Sequence, residues 1–253
     1  AVPGFYFSHG IDITRSTQKR LNMKATVREW SAVPDFGRAE MRYVWNRFAG
    51  KRLADMGITS WIVPLISGYV DVREGIVNGK FVQLALVSRR CPDRPGLRYT
   101  ARGADVHGNV SNFVETEQIV IHGDAFASFV QVRGSIPLLW QQEACIKYTP
   151  AMKLKAVDAG GQGGLSQAAF EKHYRSLFEL YGPVTSVSLV NTHGNEAMLA
   201  SALQNAADLM AGALKFKNPI VRTPLNIARE AIVEYTIGVP LAIAKYRNSL
   251  KDA

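Results

Sequence analysis

The chain has 253 residues, of which 47% are hydrophobic and 20% are charged, and it carries a formal net charge of +9 with an isoelectric point of about 9.6. This composition is typical of a globular protein with a substantial core, and it excludes a disordered or low-complexity chain. The basic balance favours acidic partners, namely phospholipid headgroups, nucleic acid or an acidic protein, although a general basic character without such a partner is an equally open interpretation.

The cysteine content and the apolar runs limit the class of protein further. The two cysteines, Cys91 and Cys145, do not make a disulfide framework in a chain of this length, and no metal-ligand spacing occurs. A reducing, intracellular compartment is therefore expected. Because no apolar run reaches the roughly 18 residues that a membrane span needs, we expect no transmembrane helix. We also expect no metal site and no cofactor.

The first half of the chain is predicted to be rich in strands. Residues 5–13 read as a strand that enters a turn, residues 14–21 open a short helix, and apolar spacing predicts a second helix over residues 39–54. Asn78-Gly79 is a strong signal for the tip of a two-residue hairpin. Further strands are predicted over residues 62–66, 68–72, 81–88, 97–101, 112–121 and 127–132. The resulting sheet is expected to be largely antiparallel or mixed.

The second half is predicted to be mainly helical. The glycine-rich residues 156–165 form a flexible connection, after which Ser166 can cap a helix that ends at Gly182. A strand over residues 184–190, a helix from Asn195 to Gly212 and two helices over residues 223–250 follow. Because strands lie early and helices late, the fold class is α/β with an α+β character.

A group of arginines is the best candidate for a binding site. Its members are Arg89, Arg90, Arg94, Arg98 and Arg102. The planar guanidinium suits phosphate and carboxylate equally well, and Glu115 and Glu117 are close enough in sequence to pair with some of the arginines across a sheet. Two interpretations therefore remain open: structural ion pairs with these glutamates, or contact with a phosphate headgroup.

Several long motifs resemble the Sac phosphoinositide phosphatase family. They are Phe5-Tyr6-Phe7-Ser8, Pro64-Leu65-Ile66-Ser67-Gly68-Tyr69-Val70, Arg94-Pro95-Gly96-Leu97-Arg98-Tyr99, Asn112-Phe113-Val114-Glu115-Thr116-Glu117-Gln118 and Arg133-Gly134-Ser135-Ile136-Pro137. The resemblance covers about residues 5–205. It implies a sheet domain like the Sac N-lobe over residues 1–155 and the start of a region like the catalytic lobe over residues 156–212. Residues 213–253 resemble nothing in the family and are expected to form a helical tail.

The resemblance also implies a chemistry that neither cysteine supplies. The family is expected to use a Cys-x5-Arg loop, in which a thiolate attacks phosphorus and the arginine holds the phosphate oxygens. The sixth residue after Cys91 is Leu97, and the sixth after Cys145 is Ala151. No catalytic residue is therefore predicted in this sequence.

The leading hypothesis is a Sac-like protein that serves as a non-catalytic structural or interaction subunit of a larger assembly. This assembly is expected at the periphery of an endomembrane or a mitochondrial membrane. Other protein subunits are expected to contact residues 213–253, whose basic and apolar side chains are numerous, and anionic phospholipid headgroups are a further expected partner. Nucleic acid is not expected. Two alternatives remain open: a fragment of an active phosphoinositide phosphatase, or a headgroup-binding module.

Overall fold

The computed structural model describes residues 4–22, 36–96, 101–142, 152–154, 164–182, 184, 186–214 and 220–222. Contacts divide the chain into two compact units. The described part of the first unit comprises residues 4–22, 36–92 and 114–132, and the second comprises residues 93–96, 101–113 and the described residues from 133 onward. The division at residues 155 and 212 that the resemblance implies stays a prediction.

The first unit is built on a five-stranded sheet in which neighbours in space are also neighbours in sequence, with the order β1-β2-β3-β4-β5. Its strands are β1 (Gly4–Tyr6), β2 (Ile66–Val77), β3 (Lys80–Arg90), β4 (Val114–His122) and β5 (Ala125–Arg133). The registered pairs β1–β2, β2–β3 and β3–β4 are antiparallel. The α/β fold class with a largely antiparallel sheet is thereby confirmed.

The hairpin between β2 and β3 forms at the predicted dipeptide. Val77 pairs with Lys80, and the two residues between them, Asn78 and Gly79, have φ angles of 49° and 76°. Two successive positive φ angles define the turn whose twist matches that of the flanking strands, and asparagine and glycine adopt them at little cost.

The predicted helix over residues 39–54 is shorter than expected. The helix α2 covers Arg47–Asp55, and residues 41–46 form turns instead. Asn46 explains the late start, because its amide donates a hydrogen bond to the carbonyl of Val63 and accepts one from the backbone of Leu65. These bonds also hold residues 62–65 outside the sheet, so the predicted strand over residues 62–66 was wrong apart from Ile66, where β2 begins.

The described residues of the first unit also form three further short helical elements. They are α1 (Thr17–Asn22) and two 3₁₀ turns, Phe36–Arg38 and Thr59–Trp61. Phe36, Ala39, Val44 and Ile62 form a buried apolar cluster, against which Met41 and Ala54 pack. Ala54 lies in α2, so this cluster fixes the inner face of that helix.

The residues of the second unit that the structure describes form two α-helices and two small sheets. The helices are α3 (Leu165–Tyr181) and α4 (Ala197–Leu214). The strands β6 (Trp140–Gln142) and β7 (Met152–Leu154) pair antiparallel, and β8 (Ser186–Ser188) and β9 (Ile220–Arg222) pair parallel. The buried faces of α3 and α4 supply the core, with Phe170, Tyr174, Leu177, Leu199, Leu203 and Met210.

The predicted helix caps can be compared with the observed ends of α3 and α4. Gly182 ends α3 with a φ angle of 74°, as predicted. The cap expected at Ser166 was wrong: Ser166 lies inside α3, and its hydroxyl accepts a hydrogen bond from the backbone of Leu139. The helix α4 follows a 3₁₀ turn, Gly194–Glu196, and continues past Gly212. The two helices predicted over residues 223–250 lie outside the described residues.

Candidate functional site

Arg89 lies on β3, which is paired with β2 on one side and with β4 on the other. In the register, Arg89 of β3 lies opposite Gly68 of β2 on one side and opposite Glu115 of β4 on the other. Glu117 follows two residues later on β4, so its side chain points to the same face of the sheet as that of Glu115. Arg89 is only 1% exposed and both glutamates are fully buried. An arginine that the sequence placed in a possible phosphate site thus lies in the interior.

The guanidinium of Arg89 donates to four acceptors of the protein. Its Nη1 atom lies 3.0 Å from Oε1 of Glu115, and its Nη2 atom lies 2.7 Å from Oε2 of Glu117. Its Nε atom donates to the carbonyl of Ile13 at 2.6 Å, and Nη2 also donates to the carbonyl of Arg15 at 3.0 Å. The two carboxylates balance its charge, while the carbonyls tie the chain before α1 to the sheet.

Glu117 extends these contacts to α1 and β5. Its Oε1 atom accepts a hydrogen bond from the backbone of Thr17 at 2.7 Å and one from the hydroxyl of Ser128 at 2.8 Å. Burial by itself would raise the pKa of Glu117, but the charge of Arg89 and the hydrogen bonds from Arg89 and Thr17 outweigh burial, so the pKa lies below its usual value. Glu117 is therefore ionised at neutral pH and joins three elements of the first unit.

A second layer of charge surrounds Glu115. Its Oε2 atom accepts a hydrogen bond from the hydroxyl of Tyr43 at 3.4 Å and lies 3.8 Å from Nζ of Lys19. The same Nζ atom lies 3.6 Å from Oε2 of Glu40. Positive and negative groups thus alternate from Arg89 to Glu40, an arrangement that lowers the cost of burying each of them.

Arg20 of α1 lies beside this cluster. Burial lowers the pKa of its guanidinium below the usual value, and the charge of Arg89 acts in the same direction, while Glu117 and Asp12 oppose both. Arg20 donates hydrogen bonds to the carbonyl of Asp12 at 3.2 Å and to the hydroxyl of Thr17 at 2.9 Å. The side chain therefore secures the start of α1 on the charged cluster.

Gly68 allows β2 to lie close to this part of β3. A Cβ atom added to Gly68 would lie 1.9 Å from the carbonyl oxygen of Ser88, which is far inside van der Waals contact. A side chain at residue 68 would therefore displace β2 from the residue that precedes Arg89. The glycine, the arginine and Glu115 form one continuous row across the three central strands.

The other predicted arginines contact aromatic rings and neutral acceptors. The guanidinium of Arg90, in the first unit, lies 5.9 Å from the ring centre of Trp45, whose indole nitrogen donates to the carbonyl of Arg90 at 2.7 Å. The structure therefore places Arg89 and Arg90 in the same unit, on neighbouring positions of β3. Arg98 lies outside the described residues.

Arg94 and Arg102 belong to the second unit, and the side chain of Arg94 contacts the backbone of Arg102. Arg94 donates to the hydroxyl of Ser111 at 3.2 Å and to the carbonyl of Arg102 at 3.0 Å. Arg102 donates to the side-chain oxygen of Gln142 at 3.2 Å, and its guanidinium lies 5.6 Å from the ring centre of Trp140. Both side chains are partly exposed. They hold together the loop that contains them, and they retain surface on which an anion could be contacted.

The structure offers little support for a reactive cysteine or a metal site among the described residues. Cys91 directly follows β3 and is 5% exposed, whereas Cys145 lies outside the described residues. Within the part of the chain that the structure describes, no group of histidine, cysteine or acidic side chains could hold a metal ion. In the same part, no helix has the length and apolarity that crossing a bilayer requires.

Comparison with known proteins decides the family. The sequence profile of the SacI homology domain matches residues 2–223. The chain belongs to the SacI homology domain family. The match extends beyond residue 205, where the resemblance was expected to end, and it includes α4 and β9.

Three relatives of this SacI homology domain share similar levels of sequence identity with it. The phosphoinositide phosphatase SAC8 of Arabidopsis thaliana is 35% identical over 202 residues, or 79% of this chain and 33% of the relative. The phosphatidylinositol-3-phosphatase SAC1-B of Danio rerio is 36% identical over 200 residues, with the same two shares. The phosphatidylinositol-3-phosphatase SAC1 of Drosophila melanogaster is 35% identical over 195 residues, or 77% of this chain and 32% of the relative. The chain thus spans about a third of the length of the curated relatives that it matches.

Proposed function

We propose that this SacI homology domain acts as a non-catalytic structural or interaction subunit of a larger assembly at a membrane. The observation that carries the proposal is that Arg89 is buried and bonded to acceptors of the protein itself. The guanidinium that seemed suited to phosphate donates to Glu115, to Glu117 and to two backbone carbonyls in the interior. Its role is to stabilise the fold, and the domain contributes structure to the assembly.

The cysteines of this chain support the absence of hydrolysis by the Cys-x5-Arg route. A phosphatase of this type needs an accessible thiolate whose pKa is lowered by a nearby cation, and an arginine in the same loop to hold the phosphate. Cys91 is buried, and the positions where such an arginine would stand hold Leu97 and Ala151. Neither thiol therefore has the loop on which this route depends.

A phosphate-release assay tests this proposal. The purified chain should release no more phosphate than buffer from any of the phosphoinositides, while a full-length relative such as the zebrafish phosphatase serves as the positive control. Cys91→Ser and Cys145→Ser should leave this baseline unchanged. Release that disappears with either substitution would show that the chain is itself an enzyme.

A second candidate is that the chain is one segment of an active phosphatase. The share of about a third that it covers in relatives named as phosphatases favours this candidate. The transcript distinguishes the two: a reading frame that continues past residue 253 into a Cys-x5-Arg segment supports the active phosphatase. In that case the module described above contributes structure to an enzyme rather than to an inactive assembly.

Headgroup binding by Arg90, Arg94, Arg98 and Arg102 is a third candidate, supported by the family's link to phosphoinositides. Arg94 and Arg102 are partly exposed, which leaves part of each side chain accessible to an anion. Binding to vesicles that contain a phosphoinositide should then exceed binding to phosphatidylserine vesicles of equal charge. Arg94→Gln should abolish that excess.

We also propose that protein subunits contact residues 213–253. The basic and apolar composition of this segment supports the proposal. Removing residues 224–253 keeps the whole family match over residues 2–223. The shortened chain should lose its co-purifying proteins while its circular dichroism spectrum retains the strand signal. Retention of the same proteins would place the contact elsewhere.

A further inference from the structure

Three of the most exposed large apolar side chains lie within one short stretch of the first unit. Trp61 is 83% exposed, Phe48 is 75% exposed and Met56 is 64% exposed. Single exposed apolar residues are common on protein surfaces and need no explanation. Three within fourteen residues, one on α2, one at its C-terminal cap and one in the 3₁₀ turn that follows, do need one.

The structure of α2 shows why these side chains face outward. The inner face of α2 is marked by Gly50, where an added Cβ atom would lie 3.0 Å from Ile62 and 3.0 Å from Phe36. With 3.6 residues per turn, Phe48 and Arg52 lie on the opposite side of the helix. Met56 follows at the same spacing of four residues, at the end of the helix. A stripe of an aromatic, a cationic and an apolar residue therefore points away from the core.

Cationic side chains accompany this stripe. The guanidinium of Arg47 lies 4.9 Å from the ring centre of Phe48, and Lys51 and Arg52 are exposed. Asp55 is the one acidic residue among residues 47–61, and it lies 2.9 Å from Nζ of Lys51. Arg47, Lys51 and Arg52 set against Asp55 give this segment a net charge of +2. The α2 platform is defined as Phe48, Lys51, Arg52, Met56 and Trp61.

We propose that the α2 platform docks on the surface of an anionic lipid bilayer. Tryptophan and phenylalanine are suited to the boundary between headgroups and acyl chains, and flanking lysine and arginine side chains attract anionic lipids. The helix α2 has nine residues and is about 14 Å long, which is small for a protein interface of roughly 800 Å² per partner. A bilayer needs only a few inserted side chains and no complementary shape.

This proposal rests on the membrane association in the proposed function and assigns a surface to it, and it depends neither on phosphate release nor on the arginines between residues 89 and 102. The platform contacts the bilayer through general negative charge and apolar insertion. A phosphoinositide is therefore not required, and phosphatidylserine is the appropriate probe. A failure of lipid docking and a failure of the phosphatase assay are distinguishable outcomes, since one measures vesicle binding and the other measures released phosphate.

The test is co-flotation of the full chain with vesicles of phosphatidylcholine that contain 30% phosphatidylserine. The chain should float with these vesicles, should not float with pure phosphatidylcholine, and should be released as salt rises. Replacing both Phe48 and Trp61 by alanine should weaken binding about tenfold, because the insertion of apolar surface is lost. Arg52→Glu should weaken it by about tenfold or more, because two units of charge change at the surface.

Matched controls separate the platform from the general charge of the chain. Since the net charge is +9, any basic residue contributes some attraction to an anionic vesicle. Lys80→Glu changes the same charge at the exposed hairpin tip, and Ile76→Ala removes an apolar side chain that is 75% exposed. The platform variants should lose much more binding than these two. Equal losses, or no flotation of the wild-type chain, would overturn the proposal.

Fluorescence gives an independent readout of depth. Emission from Trp61 should shift to shorter wavelength on phosphatidylserine vesicles and should be quenched by lipids with brominated acyl chains, and both effects should vanish in Trp61→Phe. An unchanged spectrum of the bound wild-type chain would overturn insertion. Platform variants that keep full vesicle binding but lose a co-purifying acidic protein would overturn it too, in favour of a protein interface.

Discussion

The two ion pairs of Arg89 and the ion pair of Lys51, all in the first unit, have nearly the same lengths and very different surroundings. Arg89 lies 3.0 Å from Glu115 and 2.7 Å from Glu117, with side chains that are at most 2% exposed. Lys51 lies 2.9 Å from Asp55, with side chains that are 67% and 60% exposed. Water competes with the pair of Lys51 at all times, and it is excluded from the pairs of Arg89. The distance between the charged atoms therefore says little about what each pair contributes.

Solvent exposure also distinguishes cations with a structural role from cations that can bind a ligand. Arg89 is enclosed with its two glutamates, so an external phosphate would have to displace them. Lys51 and its neighbour Arg52 face solvent and can exchange water for a charged surface at small cost. A basic residue of this SacI homology domain is thus a candidate for binding by virtue of its exposure, and its position in a run of arginines is a poor guide.

Among the substitutions considered, Arg89→Met is expected to change the free energy of unfolding most. The substitution leaves Glu115 and Glu117 buried without their cation, which should lower the free energy of unfolding by about 3–5 kcal/mol. Urea unfolding followed by circular dichroism measures the loss. Lys51→Met is the matched control and should change the same quantity by less than about 0.5 kcal/mol. A loss below about 1 kcal/mol for Arg89→Met would show that water reaches the glutamates.

Replacing the whole buried set gives a sharper result than removing one member. With Arg89→Met, Glu115→Leu and Glu117→Leu combined, no buried charge is left without a partner. Much of the stability should return, because apolar replacements of a buried ion pair are often neutral. A triple variant less stable than the single one would mean that the backbone contacts at Ile13, Arg15 and Thr17 are the main contribution of the cluster.

The next effect is that of Gly68→Ala, beside the same cluster. The added methyl group would lie 1.9 Å from the carbonyl oxygen of Ser88, so β2 must shift or the strand must distort. We expect a loss of about 2–3 kcal/mol in the free energy of unfolding. Gly75→Ala in the same strand is the control, since its added methyl group meets nothing within 4 Å, and it should be neutral or slightly stabilising. Equal stabilities of the two variants would contradict the close approach of β2 and β3.

A smaller effect is expected from Glu117→Gln, and it should depend on pH. At pH 7 the loss of a buried charge-assisted pair should cost about 2 kcal/mol. Because the pKa of Glu117 is lower in the folded than in the unfolded chain, the ionised group stabilises the fold above the unfolded pKa, near pH 4, and this contribution is lost as pH falls through the folded value. The stability difference between wild type and variant should therefore shrink below about pH 4. A difference that stays constant down to pH 3 would contradict the lowered pKa.

The sequence predicted the local turns and helix ends of this fold better than it predicted the contacts between residues distant in sequence. The turn at Asn78-Gly79 depends on two residues whose φ preferences are intrinsic, and the stop at Gly182 depends on one. Asn46 and Ser166 behave differently, because their side chains bond to the backbone of Val63, Leu65 and Leu139, which lie far along the chain. Patterns within a short window cannot contain such partners.

The same reasoning applies to the candidate site. Arginine opposite alternating glutamates was visible in the sequence as one of two interpretations, and the register of β3 and β4 brings Arg89 onto Glu115. The contributions of Thr17, Lys19 and Tyr43 were missed, because they depend on how the chain before β2 packs on the sheet. The alternation of Glu115 and Glu117 was the signal that could have located the buried face, since residues two apart on a strand share one side.

The smallest effect on stability is expected at the exposed pair, and there it should be accompanied by a change in lipid binding. Asp55→Asn removes the partner of Lys51 in an exposed pair four residues apart on a helix, which should change the free energy of unfolding by less than about 0.5 kcal/mol. The same substitution removes the acidic charge beside the α2 platform and raises the positive charge that faces a bilayer. Binding to phosphatidylserine vesicles should therefore become about fivefold tighter, as for one added cation near the surface. Asp124→Asn, at the exposed turn between β4 and β5, makes the same change in charge and should tighten binding less. Should both variants bind equally well, the attraction belongs to the net charge of the chain, and the α2 platform has no special role.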